Sequence, residues 1–99
     1  MSGATYRVLW QYRVRPDAVD RFLAHYGPGG GWVHLFRRAK GYRGTTLLRD
    51  ATDDCVFVTV DVWTSEADCR SFLDEFAAEY RALDQACEDL TEWERPIGG

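Results

Sequence analysis

Residues 5–15, TYRVLWQYRVR, alternate without interruption: Tyr6, Val8, Trp10, Tyr12 and Val14 fall on one side, Arg7, Leu9, Gln11, Arg13 and Arg15 on the other. Period two over this length specifies a strand with one face on a core. Any fold open to the chain therefore starts from a sheet whose aromatic side must be covered. Pro16-Asp17 ends the strand and opens a helix, with Asp17 suited to an N-terminal turn. In DAVDRFLAHY (17–26) the apolar Val19, Phe22, Leu23 and Tyr26 recur at helical spacing.

The next stretch, GPGGG (27–31), raises the question of a phosphate cradle. A phosphate loop follows a strand and carries Gly-Lys-Ser/Thr; here a helix precedes and Trp32-Val33-His34 follows. Behind the glycines Trp32, Leu35, Phe36 and Ala39 resume the helical period. The glycines read as a hinge between two helical pieces.

GYRGTTLLRD (41–50) and CVFVTVDVW (55–63) are two strands joined by a turn-rich link of hairpin length. One face of the latter is all valine (Val56, Val58, Val60, Val62); the other carries Phe57, Thr59, Asp61 and Trp63. Thr64 or Ser65 then caps a helix with acids in its first turn. Cys69, Phe72, Phe76, Tyr80, Leu83, Cys87 and Leu90 form a long helical stripe. EWERPI (92–97) ends the chain as a short strand, and Pro96 places it at an edge.

This order predicts an α+β fold, ferredoxin-like βαββαβ, with a four-stranded antiparallel sheet and the helices on one face. We expect a single domain over residues 1–99, with its core at about 5–97. The uncovered face is expected to present Leu9, Leu47, Phe57 and Trp63 among Arg7, Arg13, Thr59 and Asp61. Such a face is too apolar for bare solvent. Packing two copies across a two-fold axis would cover it, so a homodimer through the open sheet face is expected.

Composition removes several function classes. No apolar run approaches the ~20 residues that span a bilayer, and the first residues lack the architecture of a secretory signal. A soluble, cytoplasmic protein without membrane contact is expected. Cys55, Cys69 and Cys87 are odd in number and form no Cys/His cluster, so neither a disulfide framework nor a metal site is expected. On a continuous helix Cys69 and Cys87 would lie ~27 Å apart, too far to bridge. Residues 1–49 hold nine Lys/Arg against Asp17 and Asp20, whereas residues 50–99 hold fourteen Asp/Glu against three arginines. Halves that interleave in space would face these charges to each other. RNA-binding modules share this plan, but their third-strand signature is basic and aromatic. DDCVFVTVDVW is acidic and valine-rich, so no nucleic-acid partner is expected.

RVRPDAVDRF, GYRGTTLLRD and VTVDVWTSEAD together resemble the antibiotic biosynthesis monooxygenase family, of the dimeric α/β-barrel superfamily, and the resemblance runs from about Tyr6 to Ile97. It implies a homodimer whose sheets pack together and a pocket in each subunit between helices and sheet. It also implies oxidation of an aromatic, quinol or polyketide-type substrate by molecular oxygen. Haem-degrading relatives place an asparagine where this chain has Trp10, beside Gln11. On the second main helix they place a tryptophan, where this chain has Phe72, and a histidine, which it lacks. No cofactor is therefore expected. Trp63 matches a family tryptophan of structural role.

Within that frame, Trp10, Tyr12, Trp32 and Phe36 converge with Tyr42, Phe72 and Tyr80 on the space between helices and sheet. They either clasp a flat ligand or simply form a core. Tyr80, Trp10 and His25 are the catalytic candidates. The Tyr80 hydroxyl would donate to a developing enolate oxygen, and Trp10 would stack on a ring while its indole N–H orients a carbonyl. His25, at the border of the first helix's apolar face, would remove a phenolic proton; His34 points to solvent. Tyr12, Trp32, Phe36, Tyr42 and Phe72 are the expected substrate-binding residues. The alternative is a non-catalytic ligand-binding or interaction protein on the same dimeric barrel.

Overall fold

A computed structural model describes residues 5–98. Strand β1 (Tyr6–Val14) leads through a 3-10 turn at Pro16–Ala18 into α1 (Val19–Tyr26) and α2 (Gly31–Phe36). The hairpin β2 (Tyr42–Arg49) and β3 (Val56–Trp63) follows. Helices α3 (Glu66–Glu75) and α4 (Ala77–Cys87) and a 3-10 turn then lead into β4 (Thr91–Ile97). The sheet order is β2-β3-β1-β4 with every neighbour antiparallel. This is the expected ferredoxin-like α+β plan, with an open sheet. β4 is an edge strand, as Pro96 requires.

Local chemistry accounts for the joints. Gly30 separates α1 from α2 because a Cβ there would stand 2.2 Å from the His25 carbonyl oxygen. Of the two candidate caps, Ser65 accepts the Asp68 backbone N–H at 3.1 Å, while the Thr64 hydroxyl donates to the Asp68 carboxylate. The long helix expected from Cys69 to Leu90 is broken at Phe76, whose ψ of 27° turns the chain between α3 and α4. The turn lets Phe72 and Phe76 (ring centroids 5.4 Å apart) and Tyr80 keep to the sheet side. The charged halves interleave: Arg13 pairs with Asp53 at 2.7 Å and Arg38 with Glu79 at 3.7 Å.

The two faces of β3 are the reverse of the expectation. Trp63 pairs with Tyr6 and Tyr42, Asp61 with Val8 and Thr45, and Thr59 with Trp10 and Leu47. Phe57, Thr59, Asp61, Trp63 and Leu47 thus lie under the helices, and the first four are buried. The open face instead carries Val58, Val60 and Val62, with Leu9, Leu48, Trp93 and Ile97 around them and Arg7, Arg13 and Arg95 at intervals. The reason is volume. Trp63 fills the gap between sheet and helix, with its ring centroid 5.2 Å from Phe72 and 5.7 Å from Phe36. A valine row cannot fill that gap, and burying a large aromatic there is worth ~1.5–3 kcal/mol.

Candidate functional site

The helices and sheet do not close completely on each other. Between them lies a cavity of about 330 Å³, within the ~300–1,000 Å³ range of small-ligand sites. Trp10 and Tyr12 reach it from β1, Trp32 and Phe36 from α2, Phe72 from α3 and Tyr80 from α4. Six of the eight residues expected around a ligand therefore meet on one space. Tyr42 does not line it, packing instead outside against Trp63 and Phe36 at 5.5 Å. His25 does not line it either: on the eight-residue α1 the cavity side is taken by Tyr26, and His25 sits half-buried beside it.

The residue that sequence reasoning placed on the wrong face is the chemically distinctive one. Asp61 is 8% exposed and lines the cavity. Its Oδ1 accepts the Thr45 hydroxyl at 2.7 Å, and among the described residues no other hydrogen bond reaches the carboxyl. Among the described residues no cation compensates it, so loss of water drives its pKa from 3.8 to about 6, only partly offset by Thr45. Thr45 in turn lies 2.5 Å from the Tyr42 hydroxyl. A bulge makes that contact possible. Residues three apart on a regular strand face opposite ways, but the ladder shifts between Tyr42 and Gly44, with Gly44 at φ 134°. The shift brings Tyr42 and Thr45 onto one side.

The phenols behave differently from the carboxyl. Burial raises the pKa of Tyr12 and of Tyr26 far above the ordinary tyrosine value, and that of Tyr80 to about 12. Tyr12 is also 2.9 Å from the Thr59 hydroxyl. All three remain protonated donors near neutral pH. Cys69 lines the cavity with its thiol raised by burial, and so stays a neutral, weakly nucleophilic group. The cavity therefore pairs a proton acceptor, Asp61, with a proton donor, Tyr80, among flat aromatic walls. Alternation along β3 was the signal for Asp61, once the inward face is known.

Residues 5–85 match the family profile described as antibiotic biosynthesis monooxygenase, and the chain belongs to that family. No curated protein sequence matches it. Among solved structures it is similar to a provisionally named antibiotic biosynthesis monooxygenase from Nitrosomonas europaea. The identity is 17% and the TM-score 0.73, over 98% of this chain and 89% of the other. It is likewise similar to SnoaB, a cofactor-independent oxygenase from Streptomyces nogalater. There the identity is 19% and the TM-score 0.70, over 98% of this chain and 94% of that one. At these identities the likeness shows the fold. No helix among the described residues is long and apolar enough to cross a membrane.

Proposed function

We propose that the protein is a small dimeric, cofactor-independent monooxygenase acting on an aromatic, quinol or polyketide-type substrate. The observation that carries this reading is the Asp61 carboxyl, buried, half-solvated by Thr45 alone and lining an aromatic cavity. Family membership and the likeness to a cofactor-independent oxygenase support it.

Asp61 removes a proton from an activated C–H or O–H of the flat substrate, which Trp10 and Phe72 hold by stacking. Tyr80 donates to the oxygen that gains negative charge. The resulting carbanion or phenolate delivers its electrons to molecular oxygen. For an anthrone the balance closes: the CH2 carbon becomes a carbonyl, one oxygen atom enters the product and the other leaves as water. Trp32, Phe36 and Tyr12 complete the walls, while Tyr42 acts through Thr45 and not on the substrate.

The open face supports the dimer. Leu48, Trp93 and Ile97 are 49%, 38% and 39% exposed around the valine row, which leaves large apolar side chains of one sheet face in water. A second copy laid on the same face covers it in both subunits.

The reading is tested by oxygen uptake with an anthrone and hydroquinone panel, comparing wild type with Asp61→Asn and Tyr80→Phe. Turnover that collapses in Asp61→Asn supports it. A folded wild type that binds panel members and consumes no oxygen would instead be a ligand-binding protein on the same fold.

A further inference from the structure

The cavity has a one-sided electrostatic character. Among the described residues its walls include three carboxylates, Asp61, Asp84 and Glu94, and no lysine, arginine or histidine. Asp61 is buried at the sheet, whereas Asp84 on α4 and Glu94 on the edge strand β4 are exposed, which puts them at the mouth. Three arginines, Arg95, Arg13 and Arg38, are committed elsewhere. Arg95 donates to Gln11 at 2.7 and 2.9 Å and stacks over Trp93 on the outer face. Arg13 is paired with Asp53 and Arg38 with Glu79. The Glu94 carboxyl is raised by partial desolvation and then by the charge of Asp84, so the two acids repel each other across the opening.

Aromatic faces with uncompensated carboxylates make a site for positive charge. The rings attract a cation through their quadrupoles, and the acids add direct Coulomb attraction. A carboxylate-bearing ligand meets the opposite: three like charges and no donor stronger than a phenol or indole. We propose that the cavity takes a flat aromatic ligand carrying a protonated amine, with the ring among Trp10, Phe72 and Tyr80 and the ammonium between Asp84 and Glu94. The inference rests on the same cavity as the proposed oxygenase and names its substrate class. The ammonium is held at the mouth, which leaves Asp61 free to act on the ring.

The test compares three ligands that share one ring and differ in charge: 1-naphthylmethylamine, 1-naphthalenemethanol and 1-naphthoate, titrated calorimetrically at pH 7.5. The amine is expected to bind at least about tenfold more tightly than the alcohol, and the acid more weakly than both. In the Asp84→Asn/Glu94→Gln double variant the amine falls to the affinity of the alcohol, which itself is unchanged. If the double variant does not fold, the two single variants carry the same comparison. Naphthoate binding as tightly as the amine, no binding of the amine, or an amine preference that survives the substitutions overturns the proposal. Oxygen uptake with a neutral hydroquinone is read separately. Amine preference without turnover sinks the oxygenase and not the amine site; turnover without amine preference does the reverse.

Discussion

Thr45 donates its hydroxyl to Asp61 Oδ1 at 2.7 Å, across the β2–β3 ladder, and this bond is the one polar support of the buried carboxyl among the described residues. Burial with that single hydrogen bond raises the pKa of the carboxyl and leaves its other oxygen without a hydrogen-bond partner among the described residues.

Activity should depend on the ionised form of Asp61. Oxygen uptake is expected to rise with pH through about 6 and then level off. Asp61→Asn keeps the acceptor for Thr45 but cannot take a proton, so turnover should fall by roughly 10²–10⁴. Stopped or steady-state oxygen-electrode rates between pH 5 and 8 check both points. A flat profile in the wild type would remove Asp61 from the chemistry.

The same group should cost stability above its folded pKa. The folded chain holds the Asp61 proton more tightly than the unfolded chain, so stability falls as pH rises from about 4 to about 6. The full penalty is present above that. A rise from 3.8 to about 6 corresponds to about 3 kcal/mol. Asp61→Asn is therefore expected to melt higher than wild type at pH 8, with the gap closing toward pH 4. Glu94, raised in the same direction, leaves part of the pH dependence in the variant. Thermal melts of both proteins across this range would expose an error of sign.

Thr45 is a positioning residue. Its hydrogen bond stabilises the charged carboxylate, so Thr45→Val should move the midpoint of the pH–rate profile upward by about one unit, the size of a charge-assisted bond of ~1.5 kcal/mol. KM should change little, because the hydroxyl is spent on Asp61. Tyr42→Phe, one bond further out, should shift the midpoint less and in the same direction. A large KM effect with an unmoved midpoint would assign Thr45 to substrate contact instead.

Val60 lies at the middle of the open face, opposite Leu9 on one side and Thr46 on the other. Val60→Asp should convert a species of about twice 11.4 kDa into a monomer in sedimentation, with the circular dichroism of the fold retained. Wild type that already sediments at the mass of one chain would contradict the dimer.

Much of the architecture was legible because it is written in local periods. The alternation of Tyr6 to Val14, the glycine hinge before Trp32 and the edge proline Pro96 each report a property of neighbouring residues, and each element formed where its period placed it. The break at Phe76 was not legible: the apolar stripe runs through it, and the turn answers to what the helix packs on. Much of the cavity wall was readable too, since Trp10, Tyr12, Trp32, Phe36, Phe72 and Tyr80 are the large residues of inward stripes.

By itself, the sequence determined that β3 has two unlike faces, one of valines and one of Phe57, Thr59, Asp61 and Trp63. Period two separates the faces but carries no sign, so it does not say which one meets the helices. Tertiary structure decided that, because only the large rings fill the space beneath α2 and α3. Asp61 was carried inward with them by the alternation it shares with Trp63. The regular ladder pairs Thr45 with it directly, and the bulge between Tyr42 and Gly44 puts Tyr42 on the same side. A buried carboxyl with one hydrogen bond is a property of those long-range pairings, and no local window of the chain contains it.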